Sequence, residues 1–229
     1  MIPRKIQWQD GHLYLYRRGS LSFGFTTRGI SGSDLREYFQ GKRLRQVRQL
    51  HGDRIRYSSR LGRPLPGDGI ILDESGIPAV IKTADCLPLF FWTADNALGG
   101  ILHLGWRGSA LNMEIRLVDI LTARGISPEK LRFLMGPCIC GHCYEVGPEL
   151  QSRFQPPRLR PRIFQSTGRD HRYRLDLKKK TRITLLEKGV MPRSIFDSGF
   201  CTYRCRDFPS YRREKKNAGR IYNFMIRNK

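Results

Sequence analysis

Residues 77–108 constrain the fold more than any other stretch, because three short apolar runs, at 79–83, 87–92 and 100–104, follow one another with only brief breaks between them. The first is β-branched, the second is apolar throughout, and the third repeats that character after Thr93-Ala94-Asp95-Asn96, a turn signal. Such runs read as buried strands. Cys86 directly follows Asp85 at one strand end. His103 lies just before Gly105-Trp106-Arg107-Gly108, whose two glycines let a backbone turn sharply and approach a ligand. A rigid sheet presents reactive groups to a cleft in this way, so Cys86 and His103 are the first candidates for a site.

The flanking sequence supplies further strands and helices in alternation. Runs at 13–16, 22–26 and 46–50 read as strands, and Asp68-Gly69 is a turn entering another. Residues 31–43 read as a short helix with Ser33 or Asp34 as cap and Leu35, Tyr38 and Phe39 on one face. Leu111, Ile115, Val118 and Leu121 keep close to 3.6 spacing, predicting one helix over 111–124 that stops at Gly125, with Trp106 packing at its entrance. A strand over 131–135, a helix over 180–188, a strand over 194–200 and a last strand over 220–226 complete the pattern. With 229 residues, of which 39% are hydrophobic, one core suffices. The expected fold class is α/β, a single domain over residues 1–229 with mixed β-sheets layered with helices.

Composition narrows the function classes. The N-terminus alternates charged and apolar residues, and no apolar run approaches the ~20 residues of a spanning helix. A soluble, cytoplasmic protein that makes no membrane contact, and a monomer, are expected. Six cysteines are too few for a disulfide scaffold at this length and are expected to be reduced. Cys138-x-Cys140-x-x-Cys143, with His142 inside it, has zinc-like spacing, but the remaining pair, Cys201 and Cys205, is spaced too widely for a structural site. Small, buried, reduced cysteines are the reading there.

The net charge of +22 admits nucleic acid as a partner. Residues 151–182 hold eleven Lys or Arg against two acids, Asp170 and Asp176. Part of that stretch, 155–162, is Pro-rich and reads as an exposed loop or irregular edge. No aromatic-basic RNA-binding module is recognisable, so a solvated basic surface is favoured.

Thr83-Ala84-Asp85-Cys86-Leu87-Pro88 followed by His103-Leu104-Gly105-Trp106-Arg107-Gly108 resembles the signature of the YfiH-like family, also called laccase-domain or polyphenol-oxidase-like proteins. Other blocks agree in order. Thr26-Thr27-Arg28-Gly29, Gln49-Leu50-His51-Gly52, Gly136-Pro137-Cys138-Ile139 and Tyr144-Glu145-Val146-Gly147 resemble family segments. Cys201-Thr202, residues 208–213 and Gly219-Arg220 resemble the family's C-terminal block. Between Arg28 and His51 the chain is shorter than the family pattern and its Asn-containing segment is not recognisable, which leaves any phosphate contact from there unassigned. The resemblance implies a metal-dependent purine nucleoside phosphorylase acting on adenosine, inosine or methylthioadenosine, with adenosine deaminase as a second activity of the same site. It also places His51 with Cys86 and His103.

Two imidazoles and one thiolate suit Zn²⁺, whose usual four-coordination at ~2.0–2.3 Å leaves one position open to substrate. Copper is the alternative ion. Arg28, Arg107, Arg212 and Arg213 are the phosphate candidates, since guanidinium groups hold an anionic nucleophile in place. Three other classes are weighed against this one. A multicopper oxidase needs far more imidazoles than the five histidines present. A cysteine hydrolase or deamidase would use Cys86 as nucleophile and His103 as base. A basic RNA-binding protein would keep the fold without the activity.

Overall fold

A computed structural model describes residues 1–169 and 171–228. Two large mixed sheets lie at its centre. The seven-stranded sheet runs in the order β1 (Arg4–Trp8), β2 (Gly11–Arg18), β3 (Leu21–Thr26), β16 (Ile221–Arg227), β8 (Ala79–Thr83), β4 (Arg45–Arg48), β6 (Leu65–Pro66). The six-stranded sheet runs β15 (Ile195–Asp197), β11 (Leu131–Met135), β9 (Leu87–Thr93), β10 (Gly99–Leu104), β7 (Gly69–Leu72), β5 (Ile55–Tyr57). A small antiparallel sheet joins β12 (Glu145–Val146), β14 (Tyr173–Leu175) and β13 (Phe164–Ser166). Pairing is mixed: β4 runs parallel to β8 and β6, β11 parallel to β15 and β5 parallel to β7, while the remaining ladders are antiparallel.

The unbroken apolar character of β9 follows from its position. Phe90 and Trp92 point into the core shared with the seven-stranded sheet, where they meet Phe23, Ile81 and Met225. Leu87, Leu89 and Phe91 point the other way, toward α3 (Met113–Thr122) and α5 (Leu177–Glu187), among Leu117, Leu121 and Leu185. A strand covered on both faces has no polar side to alternate with. Each of these side chains contributes about 1.5–3 kcal/mol by leaving water, so β9 anchors both cores. The outer face of the seven-stranded sheet is covered by α1 (Gly32–Tyr38), whose Leu35 packs with Leu13, Val80 and Phe224. Ser31, not Ser33 or Asp34, caps that helix: Asp34 N–H donates to the Ser31 hydroxyl at 3.2 Å and Ser31 N–H to the Asp34 carboxylate at 2.7 Å.

Three segments differ from the sequence reading. The helix expected over 111–124 is broken into α2 (Trp106–Ala110) and α3, because Asn112 takes a left-handed conformation at φ 56° and leaves Leu111 57% exposed. Asn tolerates that region better than other side-chain-bearing residues, and the break swings α2 back over β10. The Pro-rich stretch is partly helical, with α4 at Arg160–Ile163 and both Leu159 and Ile163 buried against Phe154 and Leu175. The strand expected over 194–200 is only the three residues of β15. Among the described residues no helix is long and apolar enough to cross a membrane.

Candidate metal centre and its pocket

The chain crosses between the two sheets at Ala84-Asp85-Cys86, the link between β8 and β9. Asp85 takes φ 81°, a left-handed conformation that turns the backbone and delivers Cys86 to the gap between the sheets. Its carboxylate holds the turn, accepting from the Thr202 hydroxyl at 2.6 Å, the Ser210 hydroxyl at 3.1 Å and the Arg212 backbone N–H at 2.6 Å. His103 is paired with Pro88 near the end of β10, beside the start of β9 and so beside Cys86. His51 arrives from β4, which is parallel to β8; the Gln49 side chain extends that pairing through bonds to Lys82 O and Lys82 N–H, both 2.8 Å.

Asp68 binds these pieces together. Its carboxylate accepts backbone N–H groups from Leu50 at 3.2 Å, His51 at 2.9 Å and Gly52 at 2.8 Å, which holds His51 at φ 58°. The same carboxylate meets His103 Nδ1 at 2.8 Å. An ionised carboxylate only accepts, so Nδ1 carries a proton, and Nε2 is the ring nitrogen that gives up its proton when an ion binds. Burial alone would raise the Asp68 pKa, yet the His103 and backbone hydrogen bonds outweigh it and hold the group below its ordinary range. Sequence reasoning missed this residue's role, since Asp68-Gly69 reads only as a turn.

One donor atom each from His51, Cys86 and His103 lies within 4.8 Å of the others. The two imidazoles meet edge to face with ring centroids 4.7 Å apart. Burial opposes ionisation of the Cys86 thiol, but His103 and then His51 overcome it and bring the pKa down to about 6. Burial likewise opposes charge on His103, but Cys86 and Asp68 raise its pKa to about 9. Gly105 closes the back of the group: a Cβ there would stand 3.1 Å from Cys86 Sγ and 3.1 Å from His51 Nδ1, so only glycine leaves the donors room. The donor set fits a borderline-soft cation, with a carboxylate behind one imidazole as bound metals commonly have.

The group opens into a cavity of about 890 Å³. Arg107 and Arg212 are in its wall, each stacked on an aromatic ring, Trp106 at 4.4 Å and Tyr144 at 5.3 Å. Trp106 therefore both packs, as the sequence suggested, and lines the pocket. Arg212 also donates from Nη2 to Glu145 O at 2.7 Å. Burial pushes the Tyr144 hydroxyl up to about 12. Arg220, from the Gly219-Arg220 block just before β16, adds a further cation, as do Lys82 on β8 and Lys215 after α6 (Tyr211–Glu214), two residues that sequence reasoning did not single out and that nothing short of their placement marks. Arg28 and Arg213 sit outside the wall. Both hold Glu214, Arg28 at 2.5 Å and Arg213 at 2.6 Å, and both donate to Phe208 O. Arg213 further donates to Thr202 O and Tyr203 O, so its guanidinium braces the 201–214 segment from within.

Together the two mixed sheets and the thiolate-imidazole group at their junction define an α/β protein built around a Cys/His metal-type centre. The chain belongs to the multi-copper polyphenol oxidoreductase laccase family, whose sequence profile matches residues 33–228. It is 32% identical over 177 residues to the purine nucleoside phosphorylase of Deinococcus radiodurans, covering 77% of this chain and 67% of that one. It is 32% identical over 194 residues to the purine nucleoside phosphorylase YlmD of Geobacillus stearothermophilus, covering 78% of this chain and 70% of that one. The crystal structure of that YlmD superposes with a TM-score of 0.85 at 25% identity, covering 99% of this chain and 100% of the other. A further relative, adenosine deaminase RL5 from an unknown prokaryotic organism, is 29% identical over 166 residues, covering 70% of this chain and 62% of that protein.

Proposed function

We propose that the chain is a metal-dependent purine nucleoside phosphorylase of the cytoplasm, using His51, Cys86 and His103 as ligands of Zn²⁺. The observation that carries the reading is the convergence of those three donors at the floor of a pocket whose wall holds two braced guanidinium groups. A cavity of about 890 Å³ is in the range that takes a nucleoside together with phosphate. Bound there, the ion would supply Lewis acidity toward a substrate oxygen.

The chain's own residues do the rest. Arg107 and Arg212 bind phosphate, and their stacking on Trp106 and Tyr144 fixes the guanidinium planes before substrate arrives. Asp85 couples the two halves of the site, since one carboxylate positions both Cys86 and the Arg212 backbone. In the reaction a phosphate oxygen forms a bond to C1′ as the bond to the purine nitrogen breaks, with the electron pair leaving on the base. Positive charge develops on the ribose, and a phosphate dianion held by the two guanidiniums is positioned to meet it. Zinc is favoured over a copper cluster because the centre has one thiolate and two imidazoles, and the whole chain has five histidines.

Adenosine, inosine and methylthioadenosine are incubated with wild type and His51→Ala, with and without phosphate. Free base and the matching sugar 1-phosphate, ribose 1-phosphate from adenosine and inosine and 5-methylthioribose 1-phosphate from methylthioadenosine, are expected only when phosphate is present, and His51→Ala is expected to lose the activity. Inosine released from adenosine without phosphate identifies deamination in the same site. No turnover of any nucleoside by folded, zinc-loaded protein ends the proposal. A cysteine hydrolase reading keeps one observation, the adjacency of Cys86 and His103; it requires full activity after chelation and loss on alkylation of Cys86.

A further inference from the structure

Outside the pocket, Cys138 is the small, buried, reduced thiol the sequence suggested, but Cys140, Cys143, Cys201 and Cys205 are partly exposed. Cys140, Cys143 and Cys201 each place a sulfur within 4.8 Å of the other two, and all three are partly exposed. The chain builds this deliberately from two loops. Cys140 and Cys143 share one tight turn, in which Cys143 N–H donates to Cys140 O at 2.9 Å. Cys201 is brought across by a bridge to Cys138, with Thr202 N–H donating to Cys138 O at 3.1 Å. Cys140 N–H then donates to Cys201 Sγ at 3.4 Å, the kind of backbone bond that favours a sulfur carrying negative charge. The exposed Arg204 guanidinium lies beside the group, and Cys143, then Cys140, hold its pKa above the ordinary value. Cys138 is outside the group, fully buried with its thiol turned to Ile139 O.

We propose that Cys140, Cys143 and Cys201 form a second, structural metal site that binds Zn²⁺ through three thiolates and has its fourth position facing solvent. Sulfurs bound tetrahedrally at about 2.3 Å stand about 3.8 Å apart, so a group already within 4.8 Å closes on the ion with shifts of under about 1 Å. Binding releases the three thiol protons and leaves a net charge of −1 on the group, which the Arg204 guanidinium offsets. The Cys-x-x-Cys spacing supplies two ligands from one turn, and the third comes from a loop 58 residues further on. The spacing of Cys201 and Cys205 therefore does not count against the site, because Cys205 is packed instead against the core between the sheets.

The position explains what such an ion would do. The 138–144 loop carries Ile139 and Tyr144 into the pocket wall, and the 201–214 segment carries Arg212, which stacks on Tyr144. A zinc ion across Cys140, Cys143 and Cys201 staples these two walls and sets the spacing between the aromatic ring and the guanidinium. The site is separate from the His51 centre and stands or falls independently of the phosphorylase reading.

The test uses full-length protein purified under reducing conditions. Metal content after zinc loading and gel filtration is expected to be about one equivalent per chain lower in Cys143→Ser and Cys201→Ser than in wild type, whether or not His51→Ala lowers it as well. A second measurement avoids dependence on the serine variants folding. In His51→Ala, mass spectrometry follows alkylation of individual cysteines with and without stoichiometric zinc, and protection of Cys140, Cys143 and Cys201 together by at least tenfold is expected. Equal alkylation with and without zinc overturns the proposal, as does a disulfide between any two of the three in the reduced preparation. A wild-type metal content that Cys143→Ser and Cys201→Ser leave unchanged overturns it as well, whatever the fate of nucleoside turnover.

Discussion

Asp68 supports two of the three donors without itself lining the pocket. It fixes the tautomer of His103 and the left-handed backbone of His51 with one carboxylate. Asp68→Asn keeps the shape but loses the charge and one acceptor oxygen, so metal affinity is expected to fall about 10–100-fold. Competition against a chelator measures it, with far-UV dichroism showing that the sheets persist; an unchanged affinity would mean the imidazole needs no support. The wall arginines make a different prediction. Arg107→Ala and Arg212→Ala are expected to raise KM for phosphate about tenfold or more while leaving KM for the nucleoside within a few-fold, because a charge-assisted hydrogen bond is worth about 1.5–3 kcal/mol. Equal changes in both constants would remove phosphate from that wall. His51, Cys86 and His103 were legible as candidates because they stand in recognisable blocks. Asp68 was not, since its work is done on backbone N–H groups sixteen to eighteen residues away, and no side-chain pattern records that. Arg28 and Arg213 show the converse: a motif containing Arg does not tell whether the guanidinium faces a pocket or, as here, Glu214.

The helices α3 and α5 are joined by a contact that the sequence hides completely. Lys180 reads as one of a surface run of three lysines, yet its side chain is fully buried and its Nζ donates to the carboxylate of Glu114 and, at 2.8 Å, to Asn112 Oδ1. The Thr184 hydroxyl donates to the same carboxylate at 2.6 Å. Asn112 thus both breaks the helix between α2 and α3 and receives the lysine from α5, which is why the 3.6-residue pattern over 111–124 overran a real boundary. The central strands were read more faithfully than the helices, because β9 and β10 are short and buried on both faces and offer no competing period. Removing one member of a buried ion pair strands the other. Lys180→Met is expected to lower stability by about 3–5 kcal/mol, and adding Glu114→Leu is expected to recover most of it. Denaturant midpoints of the two variants decide it, and a double variant no better than the single would show that the pair is more than a matter of charge.

At the scale of the whole molecule, 42 basic residues face 20 acidic ones, and several of the carboxylates are tied to structure. Glu74 is held below its ordinary pKa of 4.5, first by its hydrogen bonds from Arg45 at 2.6 and 2.9 Å, which pin β4 to the turn before β8. Glu214 is lowered chiefly by its hydrogen bond from Arg28 and next by Arg213. Asp73 is lowered although burial opposes it, because Ser59 and Ser58 donate to it. A carboxyl group whose folded pKa lies below its unfolded value stabilises the fold fully above the unfolded value, and that stability is lost as pH falls through the folded one. The stabilising window is therefore above about pH 4.5, the unfolded value for Glu74, and the loss follows as pH falls from there through the lowered folded value. The same protonation removes negative charge from a chain already at +22, so repulsion among the Lys and Arg side chains grows as their partners disappear. Two measurements separate the contributions. Added salt is expected to raise the unfolding midpoint at pH 4 more than at pH 7, since it screens the general repulsion. Glu74→Gln is expected to lower stability by about 1 kcal/mol at pH 7, a difference that shrinks toward zero as pH falls through the lowered folded pKa and the wild-type carboxyl becomes neutral too. A wild-type midpoint flat from pH 7 to 3, or a Glu74→Gln deficit that persists undiminished in acid, would show that these carboxylates do not hold the sheet edge through their charge.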